Sequence, residues 1–128
     1  MALVRRSGTA YELAIRRYLA GLGIRYRIRN SEMPGSPDLA NRRGRWVVFV
    51  NGCFWHGHVD CRLAKLPKAN RAFWSAKIRE NRKRDSTRAD ELRRLHYKVI
   101  TAWGCEISRC GELSEGLKRR LRAIGRPT

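Results

Sequence analysis

Trp46-Val-Val-Phe-Val50 is the segment that most restricts the fold. An unbroken apolar run of this length, rich in β-branched residues, reads as a central strand buried on both faces. A chain of 128 residues meets that need as one compact domain, with helices layered over a sheet. The flanking patterns agree. Thr9 stands three before Glu12, the spacing of a capping box. Tyr11, Ala14, Ile15, Tyr18, Leu19 and Leu22 follow at helical spacing, and Gly21 and Gly23 close that helix. Ile24 to Arg29 alternates apolar with basic, predicting a half-buried strand with a cationic face. After a turn-rich loop from Asn30 to Pro37, residues 37–40 read as a short strand and 41–44 as a hairpin turn. Helices are predicted over 70–80 and 82–96, the second with Ala89, Leu92 and Leu95 as its stripe. Val99 to Trp103 reads as a strand, and Leu113, Leu117, Leu121 and Ile124 mark a last helix. The expected architecture is α/β, with a basic N-terminal arm over 1–8 and a single domain over 9–128.

The charge points to a polyanion. Lys and Arg number 29 against 11 Asp and Glu, a net of +18, and 23 of the basic residues are Arg. The planar guanidinium fork matches phosphate oxygens, so nucleic acid is the expected partner. An Arg-rich, GC-biased genome is the bland alternative, but such bias would bring more acid to balance it. No helix pairs a basic face with bulky aromatics, which disfavours a membrane surface. No apolar run approaches the ~18 residues of a span. The opening Met-Ala-Leu-Val-Arg-Arg lacks a secretory core, so a cytoplasmic location is expected. Four Cys are too few for a disulfide scaffold of this size.

Cys53, His58 and Cys61 fall within nine residues, and Cys105 follows the last strand. This mix of thiolates and imidazole suits tetrahedral Zn²⁺ in a closed, structural site. The spacing is irregular, so separate thiols remain an alternative, and Cys110 is a rival fourth ligand. A second set suggests hydrolysis. Asp38 precedes the buried strand and could hold Mg²⁺ against a phosphate. His56 follows that strand and could take a proton from water. Asp85, which interrupts Arg82-Lys-Arg84, could fix the imidazole. Each has a plainer reading: a turn residue for Asp38, another zinc ligand for His56, a helix salt bridge for Asp85. Phe54 and Trp55 adjoin this region and could wedge into DNA or pack under the loop; for Trp74 core packing is the stronger reading. The basic stretch from Arg79 to Arg94 reads as a solvated helix face, some of whose Arg meet phosphates.

Gly52-Cys-Phe-Trp-His-Gly-His58 with Cys61 resembles the signature of the very-short-patch repair (Vsr) DNA mismatch endonucleases. Thr9-x-x-Glu12, Leu22-Gly23, Pro34-Gly-Ser-Pro-Asp-Leu39, Phe73-Trp74, Lys77-Ile78, Asn81-x-x-Arg-Asp85 and Trp103-x-Cys105 extend the match over about residues 9–107. The resemblance implies a restriction-endonuclease-like core, a mixed β-sheet flanked by α-helices, and Mg²⁺-dependent nicking of one strand of double-stranded DNA beside a T·G mismatch. It implies that Asp38 binds the metal together with the Val50 carbonyl, that His56 is catalytic with Asp85 as its partner, and that Glu12 lies near the metal waters. It also implies Cys53, His58, Cys61 and Cys105 as zinc ligands, which sets Cys110 aside, and Phe54, Trp55 and Trp74 as rings inserted beside the mismatch. A bacterial, nucleoid-associated monomer that meets other repair proteins is the implied setting. Three departures stand out. Asn51 occupies a position where well-known members carry a second active-site histidine. One extra residue separates His58 from Cys61, which should bend the zinc loop. The arm before Thr9 is short. A nuclease of the same fold serving restriction or phage defence, and a non-catalytic zinc-containing DNA-binding module, are the competing readings.

Overall fold

The structure is a computed structural model that describes the backbone of residues 2–124 and the side chains of residues 10–124. Three helices enclose a mixed sheet. Helix α1 spans Ala2–Gly21, and strands β1 (Leu39–Asn41) and β2 (Trp46–Asn51) form an antiparallel pair. The long helix α2 (Arg71–Arg94) crosses over to β3 (Lys98–Trp103), which runs parallel to β2, and α3 (Glu115–Ile124) follows. The strand order is β1-β2-β3, so the apolar run is central as its composition requires.

Alternation along β2 sends neighbouring side chains to opposite layers. Val48 joins Leu39, Ile100 and Ala102 beneath Ile15 and Leu19 of α1 and Leu117 and Leu121 of α3. Val47 faces the other way and packs with Ala40, Met33 and Leu92 of α2. The α1/α3 side holds the larger core; the α2 side is thin. Among the described residues no helix is long and apolar enough to cross a membrane.

Both helix ends with a left-handed residue close in the same way. After α1, Gly23 (φ 75°) donates to Ala20 O and Ile24 to Leu19 O. After α2, His96 (φ 69°) donates to Arg93 O and Tyr97 to Leu92 O. Each is a Schellman closure, which satisfies carbonyls that the last turn leaves open. Glycine makes the first visible in sequence; a histidine hides the second.

Several expectations need correction. Residues 70–80 and 82–96 are not two helices: Glu80 to Lys83 holds neither Gly nor Pro, and α2 runs straight through. Ile24–Arg29 is not a strand. Arg27 and Ala40 exchange both backbone bonds, but this single bridge does not extend. The Asn30 side-chain amide donates to Arg27 O and Pro37 O and turns the chain away, leaving Ile28 exposed. The final helix begins at Glu115, and Leu113 pairs instead with Ile107 in a bridge. Helix α1 is drawn from Ala2 rather than from Thr9. The expected arm over 1–8 and the Thr9 cap lie outside the residues whose side chains are described.

Leu95 also leaves its expected stripe. It sits at the C-cap of α2 with φ −86° and ψ 9°, and is 50% exposed, whereas Leu92 is fully buried. Truncating a buried leucine removes packing and leaves a void, so Leu92→Ala should cost about 2–5 kcal/mol. Leu95→Ala should cost under about 0.5 kcal/mol. Urea unfolding of both variants checks the contrast.

Candidate active site and metal centre

β2 ends where the chemistry-bearing residues gather. The Val50 N–H donates to Asp38 Oδ2 at 2.7 Å, which pins the residue before β1 to the last turn of the pleat in β2. Asp38 is half-buried, and burial is the main reason its carboxyl is raised to about 6. The Val50 N–H and the charge of His56 oppose that rise, while nearby Glu12 adds to it. Glu12 reaches in from α1 and pairs with Arg16 at 3.5 Å. The charge of Glu12 is already met by Arg16, so Asp38 is the acid of this region left without a cationic partner among the described residues. A carboxylate of this kind suits a hard divalent ion such as Mg²⁺.

The loop after β2 supplies the imidazole. His56 Nδ1 lies 2.5 Å from Asp85 Oδ2 on α2, so the expected pair forms. The carboxylate accepts the Nδ1 proton and leaves Nε2 as the free ring nitrogen. One turn earlier on the same face of α2, buried Asn81 donates its amide to Trp55 O at 2.8 Å, and Arg84 donates to Asn81 Oδ1. Two successive loop residues are thus tied to one helix face by side chains four apart. Asp38, Val50, Asn51, His56 and Asp85 line one cavity of about 250 Å³. Glu12 does not line it. Asn51 is buried at the end of β2. His56 is no zinc ligand and Asp85 no simple helix ion pair.

Cys53, His58, Cys61 and Cys105 form the second group. Their ligand atoms all lie within 4.8 Å of one another, and His58 Nδ1 is 3.5 Å from Cys105 Sγ. Metal–sulfur and metal–nitrogen bonds of about 2.3 and 2.0 Å give a tetrahedral edge of about 3.6 Å, so the set fits one Zn²⁺-sized ion. Burial, then the adjoining thiols, push Cys105 up to about 12, and Cys53 is likewise raised by burial. Cys61 meets the same burial, but the Leu63 N–H and neighbouring thiols leave it lowered. Thiols this close hold one another's protons until a cation displaces them. The extra residue between His58 and Cys61 does not spoil the cluster: Val59 and Asp60 bulge into solvent, with Asp60 in the left-handed region at φ 53°. Cys110 is exposed and stands outside the group.

The loop packs through rings as well. Phe54, Trp55 and Trp74 meet edge to face at 5.2–5.5 Å, and Phe73, 61% exposed, leans on Trp74. The three inner rings are half-buried, so each packs on the others and also meets solvent. His58 stacks on Trp103 at 4.1 Å and 8°. The sequence reading gives no task to Asn81, Gly57 or the Trp103 stack. Only Asn81 left a usable trace, four residues before Asp85 and therefore on its helix face.

A cavity carboxylate of the kind that holds a divalent cation, an imidazole held by a second acid and a strongly cationic chain are the equipment of a hydrolase acting on a polyanion. The comparisons with known proteins fall in the same class. The family described as DNA mismatch endonuclease Vsr matches over residues 1–63. A type II nicking enzyme of Xanthomonas oryzae pv. oryzae is 40% identical over 121 residues, covering 94% of this chain and 88% of the relative. Another from Neisseria meningitidis is 36% identical over 124 residues, covering 97% and 88%. The DNA mismatch endonuclease Vsr of Escherichia coli is 34% identical over 122 residues, covering 94% and 78%. The chain belongs to the Vsr family of DNA endonucleases.

Gly57 sets how closely the loop approaches α2. Its φ is 59°, and a Cβ there would lie 2.4 Å from Ile78 Cγ2 and 2.7 Å from Arg82 Cδ. Gly57→Ala should therefore destabilise by about 1–3 kcal/mol through overpacking and backbone strain. Gly52→Ala, whose Cβ would meet nothing nearer than 3.9 Å, should change stability by under about 0.5 kcal/mol. Thermal and urea unfolding of the pair tests this.

Proposed function

We propose that this chain is a Mg²⁺-dependent endonuclease that nicks one strand of double-stranded DNA at or next to a T·G mismatch. The observation that carries the reading is one cavity lined by Asp38 and by His56 held through Asp85. The mismatch preference follows the family description and the Escherichia coli relative, both named for DNA mismatch, and the T·G pair is what the sequence resemblance implies. The proposal includes a restriction-endonuclease-like core, one nuclease domain over 9–128 after a basic arm, and a cytoplasmic, monomeric protein.

Each residue has a task in this reading. Asp38, with the Val50 carbonyl, would hold Mg²⁺, and Glu12 would orient the water around it. The bound cation supplies charge stabilisation for the phosphate and the leaving oxygen. His56 Nε2 accepts the proton of the attacking water, because Asp85 fixes the tautomer with Nδ1–H and holds the ring in place. Asn51 is uncharged and so donates a hydrogen bond to a phosphate oxygen instead of a proton. Cys53, His58, Cys61 and Cys105 would hold a structural Zn²⁺ that fixes the loop between β2 and α2. Phe54, Trp55 and Trp74, already half exposed, would insert beside the mismatched pair.

Nicking of duplexes with and without a T·G pair tests the assignment. Asp38→Ala should abolish Mg²⁺-dependent nicking while Cys110→Ser retains it. Equal cleavage of matched and mismatched duplexes would move the reading to a restriction or defence nuclease. Metal analysis should find about one zinc per chain, lost in Cys53→Ser and kept in Cys110→Ser.

The raised carboxyl gives a pH signature. A cation requires the ionised form of Asp38, whose carboxyl lies at about 6. The Mg²⁺ concentration for half-maximal rate should be nearly flat above about pH 7 and rise about tenfold per unit well below pH 6. A titration of rate against Mg²⁺ at several pH values measures it.

A further inference from the structure

Arg88 has no place in the mechanism above, yet it lines the same cavity. Asp38, His56, Asp85 and Arg88 share that space, and Arg88 is the only Lys or Arg among its described lining residues. A phosphodiester entering there meets two carboxylates. A divalent cation offsets part of that repulsion, and the chain's own fixed positive charge at this point is one guanidinium. Asp85, Arg88 and Ala89 follow at helical spacing on α2, so Arg88 stands one turn beyond the tether of His56.

Its stem is held and its head is loose. Gly35, in the loop that leads to Asp38, has φ 74°, and a Cβ there would come within 3.0 Å of Arg88 Cβ. That close approach fixes where the side chain leaves α2. The head pairs only with Glu91 among the described residues, at 3.3 Å, with both side chains more than a third exposed. Exposed pairs of this kind contribute little and exchange readily. Neighbouring Arg84 is committed to Asn81, while Arg79 and Arg82 line a separate groove beside His58.

We infer that Arg88 grips a phosphate of the DNA strand that enters the cavity, exchanging Glu91 for a phosphate oxygen. The guanidinium fork suits two parallel N–H donations to one phosphate. This inference rests on the nuclease reading of the same site, and it makes Arg88 a substrate-binding residue there.

Two measurements test it on the full chain. Affinity for a short duplex, without added Mg²⁺, is followed against salt. Arg88→Ala should lower the slope of log affinity against log salt by about 0.9, the value for one lost phosphate contact. Nicking is then followed with Mg²⁺. Arg88→Ala should lower kcat/KM by about 10–100-fold, as for a lost hydrogen bond to a charged group, and Arg88→Lys should recover part of it. Melting temperature and zinc content should match the parent chain. Arg93→Ala, which removes an exposed residue paired with Asp90, should leave slope and rate unchanged. Glu91→Gln should leave the rate unchanged or raise it, since it frees the guanidinium. An unchanged slope for Arg88→Ala overturns the inference while leaving the nuclease reading standing. A loss in Glu91→Gln equal to that in Arg88→Ala also overturns it, because the ion pair itself would then matter. A parent chain that nicks nothing, with the slope still reduced in Arg88→Ala, supports the phosphate contact and removes the nuclease reading.

Discussion

The hydrogen bond from Val50 N–H to Asp38 Oδ2 ties the entry of β1 to the exit of β2. It does so at a point where the sheet has finished its ladder with β1, since that pairing ends at Leu39 and Val48. The side chain therefore satisfies a backbone donor that the antiparallel partner no longer reaches. The same bond holds one carboxylate oxygen in a partly buried position beside Glu12, where a negative charge is poorly tolerated. Core formation and chemical readiness are set by one contact: packing Val47 and Val48 into the two layers fixes β2, and β2 fixes Asp38.

The loop from Gly52 to Cys61 depends on a different logic. It contributes Cys53 to the buried set, and most of its other side chains are only half-buried. Polar tethers replace a core there. Asn81 takes Trp55 O, Asp85 takes His56, and the Cys/His cluster gathers the loop against the turn after β3. Gly104 permits that turn to press on α1, since a Cβ there would lie 2.8 Å from Tyr11. Removing side-chain bulk at Gly57 and Gly104 lets three elements close on a segment with little apolar surface of its own.

Much of this was legible in the residues. Trp46–Val50 demanded a central strand and occupies one; the glycine closure after α1 and the short hairpin were written in Gly23 and in Asn41 to Gly44. The residue types of Cys53, His58, Cys61 and Cys105 suggested a metal site, while their irregular spacing left separate thiols and Cys110 open; the fold brings the four ligand atoms together. Other features were hidden for definite reasons. His96 adopts a left-handed conformation that glycine usually marks, so the manner in which α2 closes was hidden although its end was placed near residue 96. Alternation from Ile24 to Arg29 imitated a strand because it could not register the Asn30 amide competing for the Arg27 carbonyl. The union of Asp38 with His56 and Asp85 spans 48 positions of sequence and follows only from tertiary packing. The residue types suggested those three as a hydrolytic set, each with a plainer reading left open, and the resemblance to a known family gave each its role. Arg88 was invisible because one arginine in a run of many has no distinguishing pattern.

Cys53 lies two residues beyond Asn51, the end of β2, and Cys105 lies two residues beyond Trp103, the partner of Asn51 in the parallel pair. The metal-binding cluster therefore spans the ends of two neighbouring strands. Sliding β3 by a single residue would carry Cys105 along by about 3.3 Å and reverse the direction of its neighbours. A displacement of that size exceeds what a tetrahedral shell can absorb. An ion held there would therefore act as a proofreader of strand alignment: it would lock the correctly paired sheet and could not lock a mispaired one.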